Sequence, residues 1–93
     1  MLKQQSAEQA AKSLKALAHP ERLLILCRLI EGEKSVGTLW KSSNLSQSSF
    51  SQHLAVLRKE HIVQVRKETQ TVFYSLLDQN VQLIMKTFKK ICC

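Results

Sequence analysis

No apolar run in this sequence approaches the ~18 residues that cross a bilayer. The N-terminal stretch MLKQQSAEQAAKS also lacks the apolar core that directs export. On those two absences a cytoplasmic protein, away from the membrane, is expected. Acid is scarce as well: seven Asp and Glu stand against fourteen Lys and Arg, a net charge of +7 that a homodimer would double to +14. A compact cation of that size favours a polyanionic partner, most simply DNA. An acidic membrane surface would need a bulky amphipathic cationic helix, which the termini supply only weakly. The cysteines are Cys27, Cys92 and Cys93, an odd count in a reducing compartment, which fits a structural disulfide framework poorly. No histidine has an acidic orienter and a nucleophile at a workable spacing, so an enzyme is not expected. Repeats, low-complexity tracts and interdomain linkers are all missing, which leaves a single domain over residues 1–93. A chain of this length buries roughly 60–65% of its extended surface. That is enough for one modest core and too little for a large enclosed substrate cavity.

What is present is mostly helical. Gln4–Leu17 carries Ala7, Ala10, Ala11, Leu14 and Leu17 on an alanine-heavy apolar side. His19–Pro20 ends that element and opens the next, proline being tolerated in a first helical turn. Glu21–Ile30 is apolar almost all round, interrupted by Arg22 and Arg28, and so reads as a central helix that Gly32 terminates. Asp78–Cys93 forms a last helix with Asp78 as its cap. Val81, Ile84, Met85, Phe88, Ile91 and Cys92 make its apolar stripe, and Lys86, Lys89 and Lys90 favour its C-terminal end electrostatically. Leu24, Leu26, Cys27, Leu39, Leu54, Leu57 and Val65 are expected in or near the core. The first and last helices offer more apolar surface than one small core needs, and pairing across a two-fold axis would absorb it.

The organising stretch is Ser35–Ile62. A short helix over about Ser35–Ser42 is followed by a polar break, Ser43–Ser46, and a second helix over about Gln47–Glu60 with Ser46 as its cap. Phe50, Leu54 and Leu57 share one side of that second helix. The opposite side presents Ser48, Gln52 and Lys59, flanked by Ser51 and Ala55, with no acidic residue among them. Short amides and hydroxyls suit close approach to a phosphate backbone and to base edges in a major groove. Ile62–Leu76 then alternates as a β-hairpin, Val63 and Val65 on the way out and Val72, Tyr74 and Leu76 on the return, with a polar tip at Lys67–Thr71. Two strands alone are marginal in water, so the hairpin lies against the helices. The fold class is therefore mostly α with a β-hairpin: a winged helix-turn-helix of five helices and a two-stranded wing. Arg58, Lys59, Arg66 and Lys67 form a phosphate-contacting strip at its shoulder.

The segments LKALAHPERLLILCRL, SVGTL and LSQSSFSQHLAVLRKEHIVQVRKETQTVFYSL together resemble the ArsR-type winged-helix repressors over about Ser13–Leu76. The resemblance implies a homodimer joined through the first and last helices, and an operator-binding repressor that releases DNA when a small effector is sensed. It makes Gln47–Glu60 the recognition helix, with Gln47, Ser48, Ser51, Gln52 and His53 as contacts, and Lys67–Thr71 the wing. Two metal sites common among such proteins are missing. SVGTLWKS contains no cysteine, and Asp78 has no histidine to accompany it in Asn80–Cys93. Three thiolates could hold one structural zinc, but no metal site and no cofactor is assigned.

The closer likeness is to the branch that senses persulfides or oxidants, through ILCRLIEGEKSVG, RKETQTVFYSL and a cysteine near the end of the last helix. Its sensing pair maps onto Cys27 and Cys93, with Cys92 a competitor. Cys92 falls on the apolar stripe, while Cys93 lies about 100° away beside Lys86 and Lys89, where a thiol pKa would be lowered. The function that follows is a thiol-switched repressor released by reactive sulfur species or oxidant. The alternatives are a regulator of the same fold with incidental cysteines that displaces another DNA-binding protein, and a zinc-responsive repressor.

Overall fold

The computed structural model describes residues 4–93; Met1–Lys3, part of the stretch read for an export signal, lie outside them. The elements run α1 (Gln4–Leu17), α2 (Pro20–Ile30), β1 (Lys34–Ser35), α3 (Val36–Lys41), α4 (Gln47–Lys59), β2 (Val63–Glu68), β3 (Thr71–Leu76) and α5 (Gln79–Cys92). This is a mostly helical winged helix-turn-helix with five helices and a small sheet. No helix among the described residues is long and apolar enough to cross a membrane.

Side-chain caps set the helix starts. Ser35 accepts from the Thr38 N–H at 3.1 Å, opening α3, and Ser46 accepts from the Ser49 N–H at 3.2 Å, opening α4. Asp78 accepts from the N–H groups of Asn80 and Val81 at 2.8 and 3.2 Å, opening α5. At the far end of α4, His61 takes a positive φ of 58°. The His61 N–H then reaches the Arg58 carbonyl and the Ile62 N–H reaches that of Leu57, both at 3.0 Å. That is the paired bonding of a Schellman stop, with histidine where glycine is usual.

The core gathers Ile25, Leu26 and Leu29 of α2 with Phe50, Leu54 and Leu57 of α4, then Ile62, Val63, Tyr74 and Leu76 of the hairpin and Val81 and Met85 of α5. Leu39, Leu26, Leu54 and Leu57 are buried as expected, and Cys27 and Val65 pack partly buried against them. Leu24 does not: it is 53% exposed. Helix α2 is apolar on nearly every side, but its neighbours fully cover only Ile25, Leu26 and Leu29 and partly cover Leu23, Cys27 and Ile30. Leu24 shares the open face with exposed Arg28, one turn on.

The wing also differs from expectation. The strands pair antiparallel from Val63↔Leu76 out to Glu68↔Thr71, so the tip is the two-residue turn Thr69–Gln70 rather than Lys67–Thr71. Thr69 adopts a φ of 56°, supplying the left-handed step that a two-residue hairpin needs. The wing is not confined to two strands, because Lys34 and Ser35 pair with Tyr74 and Phe73, giving a sheet ordered β1-β3-β2. That third strand ties the start of α3 to the wing.

Candidate nucleic-acid interface and cysteine cluster

The polar turn before α4 is held by its own side chains. Trp40 Nε1 donates to the Leu45 carbonyl at 3.0 Å, and Ser43 Oγ donates to the Trp40 carbonyl at 2.8 Å. With Phe50, Leu54 and Leu57 anchored in the core, the opposite side of α4 is fixed outward. Ser48, Gln52 and Lys59 are exposed there, with Ser51 beside them, and Gln47 and Arg58 are exposed on the flank nearer the core. Ser51 and Arg58 of α4 and Lys67, Gln70 and Thr71 of the wing line one groove of about 830 Å³. The outward side of α4 and the wing thus share one groove, in which these polar and cationic side chains stand beside the apolar Val36, Leu54, Val65 and Val72.

Two residues of that predicted set are held elsewhere. His53 is half-buried, its ring centroid 4.5 Å from that of His19, and Arg22 Nε donates to its Nδ1 at 3.2 Å. Arg22 Nη1 in turn donates to the Ala16 carbonyl at 3.2 Å, so the histidine is braced against the junction of α1 and α2. Burial, then the neighbouring His19 and Arg22, push the His53 pKa below its ordinary value. The imidazole is neutral with its proton on Nε2. Arg66 is claimed by carboxylates: its Nε and Nη2 donate to the two Glu33 oxygens at 3.1 and 2.8 Å, and Nη1 pairs with Glu68. Its guanidinium also lies 4.6 Å from the centre of the Phe73 ring. The paired acids raise the Arg66 pKa further, and Arg66 lowers that of Glu33, chiefly by their hydrogen bond.

Apart from that groove, Cys27 of α2 is joined to Cys93, the residue closing α5, with Cα atoms 5.5 Å apart. Cys92 is free; its Sγ lies 3.7 Å from Cys27 Sγ and donates to the Phe88 carbonyl at 3.4 Å. All three sulfurs lie within 4.8 Å of one another, the one such grouping of metal-capable side chains among the described residues. The cluster exists because α2 and α5 pack side by side, their Ile25, Leu26, Leu29, Val81 and Met85 sharing one buried core.

The family profile described as bacterial regulatory protein, arsR family, matches residues 19–65, from the start of α2 into the wing. The transcriptional activator HlyU of Vibrio cholerae is 43% identical over 97% of this chain and 83% of its own length. The chain belongs to the ArsR family of bacterial regulatory proteins. Among solved structures, reduced HlyU from Vibrio cholerae superposes with a TM-score of 0.88 at 44% identity, covering 96% of this chain and 94% of that one. The transcriptional repressor BigR from Xylella fastidiosa does so at 0.85 and 37% identity, covering 96% and 91%.

As an ArsR-family protein the chain is a DNA-binding regulator and not an enzyme, with a cysteine cluster chemically able to form a disulfide or to coordinate a metal. Glu33, Arg22 and Gln70 belong to the site's framework but were not singled out in the sequence. Glu33 lies 33 residues before Arg66 and Arg22 lies 31 before His53, so no local spacing signals either pair. Gln70 would have been found by reading the wing tip as a two-residue turn.

Proposed function

We propose that the protein is a dimeric, cytoplasmic operator-binding repressor that loses affinity for DNA when Cys27 and Cys93 are bridged by reactive sulfur species or oxidant. The observation that carries this reading is the link itself. It joins α2, which packs on the recognition helix α4, to α5, whose outer side exposes Leu83, Phe88 and Ile91. A second copy covering that side sets the spacing of two recognition helices, so the bond spans the reading unit and the element that positions it.

The chemistry balances without a cofactor. The thiolate of Cys27 attacks the sulfane sulfur of an organic persulfide and releases the organic thiol. The Cys93 thiolate then displaces hydrosulfide from the Cys27 persulfide. Two protein thiols and one persulfide give a disulfide, a thiol and hydrogen sulfide. A Cα separation of 5.5 Å suits a direct disulfide, so geometry alone does not reserve the pair for persulfide over peroxide. Within the reading face, Gln47, Ser48, Ser51 and Gln52 take the base-edge and nearby backbone contacts and Arg58, Lys59 and Lys67 take phosphates. His53 and Arg66 are positioning residues, the first bracing α4 and the second the wing.

The test is an operator titration of reduced and persulfide-treated protein, with thiol capping and mass-spectrometric mapping in parallel. A coupling of about 2–3 kcal/mol weakens binding some thirty- to hundredfold. The bridge should map to Cys27 and Cys93, and Cys92→Ser should still switch. Undiminished switching in Cys27→Ser would end thiol sensing through this pair. The likeness to HlyU, an activator by name, favours a second reading in which the same operator binding displaces another DNA-binding protein. Transcription in vitro with purified polymerase alone separates the two, since only a repressor acts there.

A further inference from the structure

The proposed switch uses two of the three clustered sulfurs and leaves Cys92 without a task. We propose that in the reduced protein Cys27, Cys92 and Cys93 together bind one thiophilic divalent cation of the zinc class. The Cys27 and Cys92 sulfurs are already 3.7 Å apart, and a tetrahedral centre with ~2.3 Å metal–sulfur bonds needs an edge of about 3.8 Å. Cys93 closes α5 from outside the helix, so once its bond to Cys27 opens its sulfur completes a three-sulfur face within the same corner. The donor set is soft, which selects against magnesium and calcium. The remaining position opens on a cavity of about 290 Å³ lined by Leu24, Arg28 and Glu31. Water closes the coordination there. Three thiolates on a divalent ion leave one net negative charge, which the Arg28 guanidinium lining the cavity offsets.

Binding displaces the thiol protons, so affinity rises with pH. Cys27 and Cys93 can ligate the ion as thiolates or, once oxidised by persulfide, be bonded to each other, not both. The ion therefore shields the pair from persulfide, and bridging expels the ion. This inference rests on the proposed reduced state of the Cys27–Cys93 pair, but Cys92 is needed only by the metal site, which separates the two.

The experiment titrates the fully reduced 93-residue chain with cadmium under anaerobic conditions, then displaces it with zinc in competition with a chromophoric chelator. One cadmium per chain is expected, with the ultraviolet charge-transfer intensity of three thiolates. None should bind the disulfide form. Cys92→Ser should show the intensity of two thiolates and bind more weakly by roughly tenfold or more, the scale on which losing even a supporting partner acts, while still forming the Cys27–Cys93 bridge with persulfide. A reduced protein that takes up no cadmium overturns the proposal, as does Cys92→Ser matching the parent in both intensity and affinity. Three-thiolate binding with no persulfide bridge would instead sink the redox reading and leave the metal site standing.

Discussion

At the scale of single residues, charge and exposure in the sequence separate less than the structure does. Arg66 and Lys67 are adjacent, basic and exposed; along the strand only Arg66 shares a face with Glu68, and folding adds Glu33, which no local spacing signals. Lys67→Ala should weaken binding to all DNA and reduce its salt slope by roughly one unit, because a free cation is lost. Arg66→Ala should change that slope less, since its charge is already balanced by Glu33 and Glu68, while loosening the wing. Equal slope changes in operator titrations across a salt series would overturn the division. Gln52, exposed on the outward side of α4, is expected to read a base. Gln52→Ala should lower the preference for operator over random DNA by about 1–3 kcal/mol, and an equal loss on both DNAs would put the side chain on phosphate. His53 carries a pH signature of a different kind. Its pKa is depressed from 6.5, by burial first and then by His19 and Arg22. The unfolded chain therefore takes up this proton before the folded one. The stability owed to neutral His53 is complete above about pH 6.5 and is lost as pH falls to the folded value, below which nothing further is lost. His53→Gln should flatten that part of the stability curve. Chemical denaturation of both proteins from about pH 7 down to 5 checks this, and parallel curves would show that His53 does not titrate differently on folding.

At the scale of elements, periodicity and caps carried most of the fold. Phe50, Leu54 and Leu57 repeat at helical spacing and are buried, and Ser46 and Asp78 stand at the helix starts they cap. The wing tip was less legible, because Glu68-Thr69-Gln70-Thr71 has none of the Asn-Gly or Asp-Gly chemistry that announces a two-residue turn. Strand β1 is only two residues long, too short for any alternation, and forms because β3 offers it a free edge. Among the described residues, the two non-glycine positions with positive φ, His61 and Thr69, are where the sequence departs from local preference. His61 stops α4 in a conformation that costs an L side chain roughly 1–2 kcal/mol. Part of that returns as entropy when glycine is introduced, so His61→Gly should stabilise the folded protein by about 0.5–1 kcal/mol. A denaturant midpoint measured without DNA gives the sign, and a lower midpoint would mean that the His61 side chain contributes more than its backbone costs.

At the scale of the whole molecule, the surplus apolar surface read from α1 and α5 persists after folding. Leu14, Leu83, Phe88 and Ile91 stay between 45% and 77% exposed in the isolated chain. Surface substitutions that touch nothing change stability by no more than about 0.5 kcal/mol, so a lone chain would accept Leu83→Glu without effect. A two-fold dimer would not, because an isologous interface meets each substitution twice and buries both new charges in an apolar seam. The protein should therefore sediment as a dimer at micromolar concentration, and Leu83→Glu should sediment as a folded monomer with unchanged helical circular dichroism. Operator affinity should collapse with the dimer. One recognition helix reads one half-site, and the pair is expected about 34–36 Å apart, one turn of B-DNA. Binding to a single isolated half-site should barely change, since Ser48, Ser51 and Gln52 remain exposed on α4 whether or not α5 is paired. A Leu83→Glu protein that still sediments as a dimer would move the interface off this face. A monomeric variant that binds the full operator as tightly as the parent would mean that two-fold spacing contributes nothing to recognition, and a bond from Cys27 to Cys93 would then have no dimer geometry through which to act.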